Sequence, residues 1–539
     1  MRDGRRAGDG VGRGGVSSLW EACRRGGAAL LCVAAVLTGT ITANAHSLDI
    51  VPFDDPAYAD LYHLAAEGLA PLWAQTVRPL TRFALARMVA RSLDRVVGDR
   101  AATSPGSLLT LEHLVLQFSD ELALLGYRVV QPPQGPSAAT VTGWGMQFDR
   151  AVVWRVESGA PPMVDGSRIP DPGSRRWATD SGSWLRLEVS GSAGFGPLMM
   201  VGTRLEHTLV PTPVSIGVDR LFASAGSGAW LTEVGRDRHW WGPGARGAFL
   251  VSDNAGPLDA VTLSHDDDRL RVIKMFARLT EGSDRYLYGT RVDWLATDAF
   301  RLGVSETVVA AGGLYLPYLL NPIPLLTYGL DLWIRRQQMG ITDNYNIAVD
   351  FDWRIGRGTT FYGELYLDDL SSGAYAFPTI GGATAGLFLG DPFHDGRTDL
   401  RLEHTRATNW IYATGGTNDY IYNGKALGHW CAPDCELWSG ELSHRVEAGS
   451  TLTLGYDLVR KGQGRLGQTW TDATNAWTNL YLSGVVETTQ AWRLRYSWAP
   501  DPNLQQELGV GWSGVTNASH AAGQTRQEWF GWWEVRYQF

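Results

Sequence analysis

The sequence ends in Trp-Phe-Gly-Trp-Trp-Glu-Val-Arg-Tyr-Gln-Phe, residues 529–539. Positions 529, 531, 533, 535, 537 and 539 hold aromatic, apolar or glycine residues, and Glu534, Arg536 and Gln538 lie between the last of them. A period of two is typical of a β-strand that separates lipid from a wet lumen. About 9 to 11 residues are enough for a tilted strand to cross a bilayer, so the stretch predicts a membrane-spanning strand. An edge strand of a soluble sheet is the alternative.

Aromatic residues and glycine are abundant in this chain of 539 residues, which has 23 Trp, 19 Tyr and 64 Gly. Aromatic side chains form girdles at both interfaces of membrane barrels. From residue 141 to the end, runs that alternate between apolar and polar residues, such as Trp492 to Trp498, are separated by turn residues. We therefore predict that residues 141–539 form a transmembrane β-barrel of about 18 antiparallel strands.

Longer and less regular stretches interrupt this pattern. We predict that they are extracellular loops or segments that plug the barrel, and function on such a scaffold usually lies in the loops. These stretches are residues 155–180, 235–260, 311–328, 371–397, 423–436 and 461–478.

Residues 1–45 are predicted to be a signal peptide. A basic stretch precedes the apolar run from Ala28 to Leu37, and the small residues before His46 fit a cleavage site. This segment holds six of the 47 basic and three of the 56 acidic residues, so the remainder has a net charge near −12. Such a charge argues against a nucleic-acid partner.

The hydrophobic period becomes helical after the signal peptide. Apolar residues at spacings of three and four predict helices from Tyr58 to Leu69, Leu80 to Val97 and Leu108 to Leu125. Residues 46–130 are thus expected to form a periplasmic three-helix bundle, joined to the barrel by a linker at 131–140. The part from Tyr58 to Arg82 resembles an S-layer-homology module, which implies glycan binding; a helical cap docked on the barrel is the alternative.

Cys431 and Cys435 are the cysteines that remain after signal cleavage. Their close spacing in an oxidising compartment predicts a loop disulfide. A zinc site would need two further ligands, and His429 offers at most one. The acidic run Asp266 to Asp268 fits a calcium site or a solvated hairpin turn, and we prefer the turn.

The stretch from Gly235 to Asn254 contains the most unusual sequence of the chain. Trp240 and Trp241 stand beside Gly-Pro-Gly, which cannot continue a regular strand, so two indoles lie on a bent loop. Indole faces stack on the C–H faces of sugars, and the charged residues before them could bind hydroxyls or carboxylates. Alternatively, the tryptophans pack against the barrel wall.

The run Arg238 to Gly244, followed by Ser252 to Asn254, resembles the capsule assembly Wzi family. Tyr422 to Gly424, Gly428 to Trp430 and Asn321 to Pro322 support this resemblance, as does the order of a helical N-terminus and a barrel. The resemblance implies an outer-membrane lectin that holds capsular or related exopolysaccharide at the cell surface and is not an enzyme. The candidate polysaccharide-binding residues are Arg236, Asp237, Arg238, His239, Trp240, Trp241, His429 and Trp430.

Two other functions were compared with this one. A hydrolase could use His394, His404 or His429, but the sequence has no nucleophile-elbow motif, and we predict no catalytic residue, metal or cofactor. An outer-membrane porin or sugar channel is the stronger alternative, because a barrel of about 18 strands can hold an aqueous pore. The apolar, proline-broken segment Leu314 to Leu330 is more typical of a packed segment than of a pore lining, which favours a closed barrel.

The expected partners follow from this reading. They are capsular or exopolysaccharide and outer-membrane lipid, and the barrel is expected to be a monomer. The terminal Phe539 resembles the C-terminal signature that outer-membrane barrels present to the barrel assembly machinery, which implies that machinery as a further partner.

Overall fold

The fold is known from a computed structural model. It describes, apart from short gaps within these ranges, residues 48–98, 103–128, 144–170, 184–326, 343–369, 379–469 and 478–538. The predicted signal peptide, the linker at 131–140 and Phe539 therefore lie outside the described residues.

Eighteen antiparallel strands of the described chain close into one barrel. Each strand pairs with its neighbours in sequence, and the first strand also pairs with the last, with Arg155 opposite Glu534. The predicted fold class and strand number are confirmed. The strands are β1 Trp144–Gly159, β2 Trp184–Phe195, β3 Met199–Val210, β4 Ser215–Ser227, β5 Trp230–Asp237, β6 Leu258–Asp266, β7 Leu270–Leu279, β8 Arg285–Thr297, β9 Phe300–Ala311, β10 Asn344–Gly356, β11 Thr359–Asp369, β12 Ile380–Gly390, β13 Thr398–Ala407, β14 Cys435–Glu447, β15 Ser450–Lys461, β16 Glu487–Asp501, β17 Leu504–Thr516 and β18 Thr525–Gln538.

The last strand shows the alternation that its sequence predicts. Trp529, Trp533 and Tyr537 are 71%, 40% and 50% exposed, whereas Phe530 and Trp532 are buried on the other face. In the lumen, the Trp532 Nε1–H donates to Glu507 Oε1 at 2.7 Å. Large apolar side chains on the outside and satisfied polar groups inside are what a barrel surrounded by lipid requires.

The two ends of the barrel differ in the length of their connections. At the short-turn end, successive strands are joined by turns such as residues 357–358 between β10 and β11. At the opposite, long-connection end, residues 238–257, 408–434 and 462–486 join the strands. All of the long connections lie at the same end, because each joins an odd-numbered strand to the next even-numbered one.

One predicted loop is largely a strand. The stretch 371–397 contains β12, whose many glycines make its sequence resemble a loop. The glycines are needed for space in the lumen: a Cβ on Gly386 would lie 2.0 Å from the Tyr362 ring, and one on Gly382 would lie 2.3 Å from the Phe249 ring. The loop prediction for residues 380–390 is therefore wrong, because close packing rather than flexibility explains the glycines.

Four helices form a helical cap at the short-turn end: α1 Ala57–Ala66, α2 Arg82–Gly98, α3 Pro105–Gln117 and α4 Ser119–Leu124. Helix α3 begins after an N-cap in which Ser104 Oγ accepts from the Ser107 N–H at 3.1 Å, with Pro105 in the first turn. The third predicted helix is thus divided at Phe118, whose backbone leaves helical geometry. No helix in the described part of the chain has the length and apolarity to cross a membrane.

Helix α1 enters the barrel from the short-turn end. The Tyr62 ring packs edge-on against Tyr362 and Phe388 of the barrel wall, with ring centroids 6.4 and 5.1 Å away. His63 Nδ1 lies 2.9 Å from Asp399 Oδ1, and the Gly358 N–H donates to the carbonyl of Ala66 at the end of the helix. The segment that resembles an S-layer-homology module is therefore built into the barrel as part of a docked cap.

The apolar segment Leu314 to Leu330, as far as it is described, packs on the outer wall instead of inside the barrel. Tyr318 is buried against Tyr288 and Tyr315, with ring centroids 5.5 and 4.7 Å away. Tyr288 faces outward because the next residue of β8, Gly289, faces the lumen. This segment therefore does not close the lumen, contrary to the expectation from its sequence. Its apolar side chains that are more than half exposed are Leu314, Leu316, Leu320, Ile323 and Leu326.

Candidate functional site

The connection 238–257 folds back into the barrel and crosses its lumen. Glu364 of β11 accepts from the Phe249 N–H at 3.1 Å, and Glu403 of β13 accepts from the backbone N–H groups of Ala245 and Arg246 at 2.6 and 2.9 Å. The Arg246 side chain donates to a carboxylate of β15 at 2.8 Å. Three different strands thus hold this loop by charge-assisted hydrogen bonds, which are stronger than neutral ones.

The two tryptophans of the Trp-Trp-Gly-Pro-Gly run are buried, at 1% and 2% exposure. The Trp240 Nε1–H donates to the carbonyl of Gly242 at 2.8 Å. Trp240 and Trp241 also pair antiparallel with Arg78 and Val77, the residues just before helix α2. The Trp241 ring lies so close to Gly289 that a Cβ there would be 2.7 Å from it. The indoles therefore join the loop to the helical cap and the wall, and neither presents a face to solvent.

The charged residues before the tryptophans form pairs within the barrel wall. Arg236 donates two hydrogen bonds to Asp259 at 2.6 and 2.9 Å, and Arg238 donates to Asp219 Oδ1 at 2.9 Å. Asp237 accepts from Arg220 Nε at 2.7 Å. His239 is buried beside them, and burial lowers the pKa of its imidazole. The structure therefore places Arg236, Asp237, Arg238 and His239 at β4–β6 and not on the outer face.

The second pair of predicted residues lies where two long connections meet. The His429 ring is fully buried, 5.2 Å from Phe249 and 5.8 Å from Trp430. Trp430 is half-buried, and its Nε1–H donates to the carbonyl of Arg246 at 2.9 Å. The Tyr412 hydroxyl donates to the carbonyl of Phe249 at 2.6 Å and accepts from the His429 N–H at 3.0 Å. His429 and Trp430 thus lock the connection 408–434 onto the lumen loop.

The structure joins Cys431 and Cys435 in a disulfide, and the small loop between them holds a residue that sequence analysis missed. Asp434 is fully buried. Its Oδ2 accepts from the Gly464 N–H at 3.0 Å, the Ser483 N–H at 3.1 Å and the Ser483 hydroxyl at 2.6 Å. One carboxylate therefore connects residues 408–434 to both halves of the connection 462–486.

These contacts make one outer-loop layer from the described parts of 238–257, 408–434 and 462–486. In and beside this layer are exposed residues that the sequence analysis did not select and that are of types suited to sugars. Tyr481 is 43% exposed, and the Arg406 guanidinium lies 3.8 Å from its ring centroid. Gln463 is exposed. Its N–H donates to the carbonyl of Ser483 at 2.9 Å, which places it near Tyr481. Together with partly buried Trp430, these residues offer aromatic rings, a cation and an amide.

The histidines considered for hydrolysis are far apart in the fold. His394 lies in the turn between β12 and β13 at the short-turn end, whereas His429 is buried in the outer-loop layer. His404 is on β13, 3.3 Å from Glu436. In the acidic run, Asp267 Oδ1 accepts from the Arg269 N–H at 2.8 Å, which is the geometry of a turn. No group of three metal-ligating side chains is present in the described ranges.

The family model of the capsule assembly protein Wzi matches residues 178–528, which include both the outer-loop layer and most of the barrel. The chain belongs to the capsule assembly Wzi family. The fold agrees with this assignment, since it is similar to that of Wzi from Escherichia coli, with a TM-score of 0.61 and 13% sequence identity. The similarity covers 91% of this chain and 99% of that chain, which is described as a carbohydrate-binding β-barrel involved in group 1 capsule assembly.

Other barrels are less similar to this member of the Wzi family. OprD of Pseudomonas aeruginosa is 10% identical, with a TM-score of 0.41 over 73% of this chain and 95% of that chain. OmpT of Vibrio cholerae is 10% identical, with a TM-score of 0.35 over 75% of this chain and 100% of that chain. A comparison with curated protein sequences gives no match. The family and the apolar outer wall of the barrel place the protein in the outer membrane.

Proposed function

We propose that this protein binds capsular or related exopolysaccharide at the cell surface and helps to attach or assemble it there, without covalent chemistry. Membership of the Wzi family supports this role. The observation that carries the proposal is the outer-loop layer, a cross-linked lid whose exposed groups are aromatic, cationic and amide side chains. Such groups bind sugar rings by stacking and hydrogen bonds.

The porin or sugar-channel alternative requires an open lumen. In the described residues, helix α1 occupies one end of the lumen and the loop 238–257 crosses it. The middle of this loop is held by buried carboxylates on separate strands, so that opening a passage would break several charge-assisted hydrogen bonds at once. This arrangement supports attachment of a polymer over transport of a small sugar.

The remaining partners belong to the same proposal. The barrel acts as a monomer in outer-membrane lipid, and the barrel assembly machinery recognises its C-terminal strand through Phe539. Each shallow contact with a polysaccharide is weak, but one long polymer meets many copies of the protein on a cell. Linking the contacts along one chain raises the overall avidity by about 100-fold or more.

Deleting the gene in its own host tests this function. We expect the amount of surface polysaccharide made to stay the same while a larger part of it moves from the cells into the medium. The measurement is separate assay of the cell-bound and released polymer. If attachment is unchanged and uptake of small solutes falls instead, the protein is a channel and the proposal is wrong.

Within the site, we propose that Trp430 and Tyr481 contact the polymer, while the buried residues Trp240, Trp241 and His429 hold the loops in place. The pairs made by Arg236, Asp237 and Arg238, together with buried His239, support the same loop from β5. These are different roles for the eight residues selected from the sequence: burial decides the role of the indoles and imidazoles, and the ion pairs with Asp259 and Asp219 decide that of the two arginines.

The double substitution Trp430→Ala and Tyr481→Ala is expected to weaken binding of the host polysaccharide to the purified protein about 10-fold, because two stacking rings are lost. Retention of the polymer on immobilised protein is the measurement. As a matched control, Trp294→Ala removes a half-exposed tryptophan from the outer wall of β8 and should leave binding unchanged. Equal binding by the double variant and the parent would remove these two residues from the site.

Trp240→Ala and Trp241→Ala are expected to act through the fold. The loss of either buried ring leaves a cavity and costs about 3–5 kcal/mol of stability. The measurement is urea unfolding in detergent micelles. If the barrel keeps its full stability while polymer binding is lost, the tryptophans are contact residues after all.

A further inference from the structure

A cavity of about 430 Å³ lies between the helical cap and the inner wall of β4–β7. Phe83 and Arg87 of helix α2 form one side, and Trp241 of the lumen loop forms another. The lining includes Ser227 and Ala229 at the turn between β4 and β5, so the cavity reaches the short-turn end. It lies on the inner side of the connection 238–257, away from Trp430 and Tyr481, and the function proposed above does not place a ligand in it.

Two buried side chains that line this cavity have unused hydrogen-bonding groups. Glu233 of β5 is 7% exposed and His239 is 6% exposed. Within the described ranges, neither the carboxyl group nor the imidazole takes part in a hydrogen bond or ion pair, and the nearby Arg220 guanidinium is paired with Asp237 instead. A buried polar group without a partner costs free energy. A ligand that supplies the missing hydrogen bonds recovers this cost.

The charges around the cavity favour a neutral ligand. Arg78 and Arg87 disfavour a cation, whereas Glu233 and Asp266 disfavour an anion. The remaining arginine of the wall, Arg271, is neutralised by Asp266 at 2.8 Å. No single sign of charge dominates the lining, so a charged ligand would gain little from it.

The side chains that line the cavity also favour a sugar over an acyl chain as the ligand. Most of the lining is apolar, including Ile50, Leu80 and Trp241, and would accept either. An acyl chain, however, would leave Glu233 and His239 without partners in a dry environment, which is costly. A sugar ring places its C–H face on apolar walls and its hydroxyls toward carboxylate and imidazole.

We infer that this cavity is a second carbohydrate site, entered from the short-turn end, that binds a neutral saccharide of roughly one to two residues, a size suited to a pocket of this volume. Glu233 and His239 bond its hydroxyls. Its occupant touches the ladder between Val77 and Trp241 that joins the helical cap to the lumen loop. This inference does not require the outer-loop layer to bind polymer.

The test uses the mature full-length protein in detergent micelles and two neutral probes, cellobiose and N,N′-diacetylchitobiose, with decanoate as an acyl probe. Binding is measured by saturation-transfer difference NMR and calorimetry. We expect at least one disaccharide to bind saturably. Glu233→Ala should weaken it about 10- to 100-fold, because a buried hydrogen bond to the ligand is lost, and Glu233→Gln should weaken it less, since the amide still bonds a hydroxyl.

Two further variants keep the result interpretable. Ala84→Phe places a ring in the cavity from helix α2 while keeping both polar residues and should abolish binding. Tyr481→Ala removes an exposed ring of the outer-loop layer that does not line the cavity and should leave disaccharide binding intact, so the two sites fail independently. Resistance of the unheated barrel to SDS shows that each variant is folded. The inference is overturned if neither disaccharide binds, if only decanoate binds, or if folded Ala84→Phe and Glu233→Ala bind as the parent does.

Discussion

Replacing Arg301 by Met is expected to lower the free energy of unfolding of the barrel by about 3–5 kcal/mol, because it breaks a fully buried ion network. Arg301 of β9 donates to Asp293 at 2.7 Å, Asp350 at 2.5 Å and Asp352 at 2.6 Å. All four side chains are 0% exposed. Without Arg301, Asp293 and Asp350 keep the Arg291 guanidinium, whereas Asp352 keeps only a hydrogen bond from the Tyr62 hydroxyl. Solvent cannot screen the repulsion of the three buried carboxylates.

Urea unfolding in detergent micelles, followed by tryptophan fluorescence, measures this effect. The matched control is Arg460→Met, which breaks the pair with Glu436, where the arginine is 44% exposed. Exposed ion pairs contribute about 0–1 kcal/mol, so we expect this variant to unfold close to the parent. Equal and small losses in the two variants would show that water reaches the Arg301 network and that its burial is not what stabilises the barrel.

The sequence predicts the barrel well because alternation is a local property. In the second half of β18, apolar and polar residues alternate, and the exposures of Trp533 and Tyr537 agree with an apolar face toward lipid. Phe530 and Trp532, by contrast, are apolar and face the lumen. The helices of the cap are predicted for the same reason, since their apolar residues recur three and four positions apart in the sequence. Both predictions use only the local sequence and do not depend on which residues contact each other across the lumen.

What fills the lumen could not be predicted in this way. Trp240 and Trp241 read as a bent aromatic loop, but their burial follows from pairing with Val77 and Arg78, which are far away in sequence. The same tryptophans on a loop that pointed outward would have the same local sequence. Only the packing of the cap against the loop decides between the two structures, and that packing has no local signature.

Asp434 shows the same limit at the outer face. The Cys-Ala-Pro-Asp-Cys run predicts a small disulfide loop, and the structure contains one. The partners of the aspartate, Gly464 and Ser483, come 30 and 49 residues later in the chain. They reach it because β14 pairs with β15, which places the connection 462–486 beside the disulfide loop. A strand register, and not a motif, brings these groups together.

Asp434→Ala is accordingly expected to free the outer-loop layer while leaving the barrel folded. The substitution removes the acceptor of three hydrogen bonds. It leaves the N–H of Gly464 buried without that partner, at about 1–3 kcal/mol, and frees the half-buried donors of Ser483. The loops would then open locally at a lower free energy than the barrel. We expect protease cleavage within 462–486 to speed up at least 10-fold and polymer binding to fall by a similar factor. Limited proteolysis of the purified protein and polymer retention are the measurements.

Asp434→Asn separates the hydrogen bonds from the charge, because the amide oxygen can still accept from the Gly464 N–H. It should lie between Asp434→Ala and the parent in both measurements. Asp267→Ala, which removes a carboxylate that accepts backbone N–H groups in a turn at the short-turn end, controls for general damage and should leave the outer loops protected. If Asp434→Ala is cleaved no faster than the parent, the layer is held by its other contacts, such as the bond from the Asn409 N–H to the Leu480 carbonyl. If protease protection is lost but polymer binding is unchanged, the hydrogen bonds of Asp434 order the loops without contributing to polysaccharide binding.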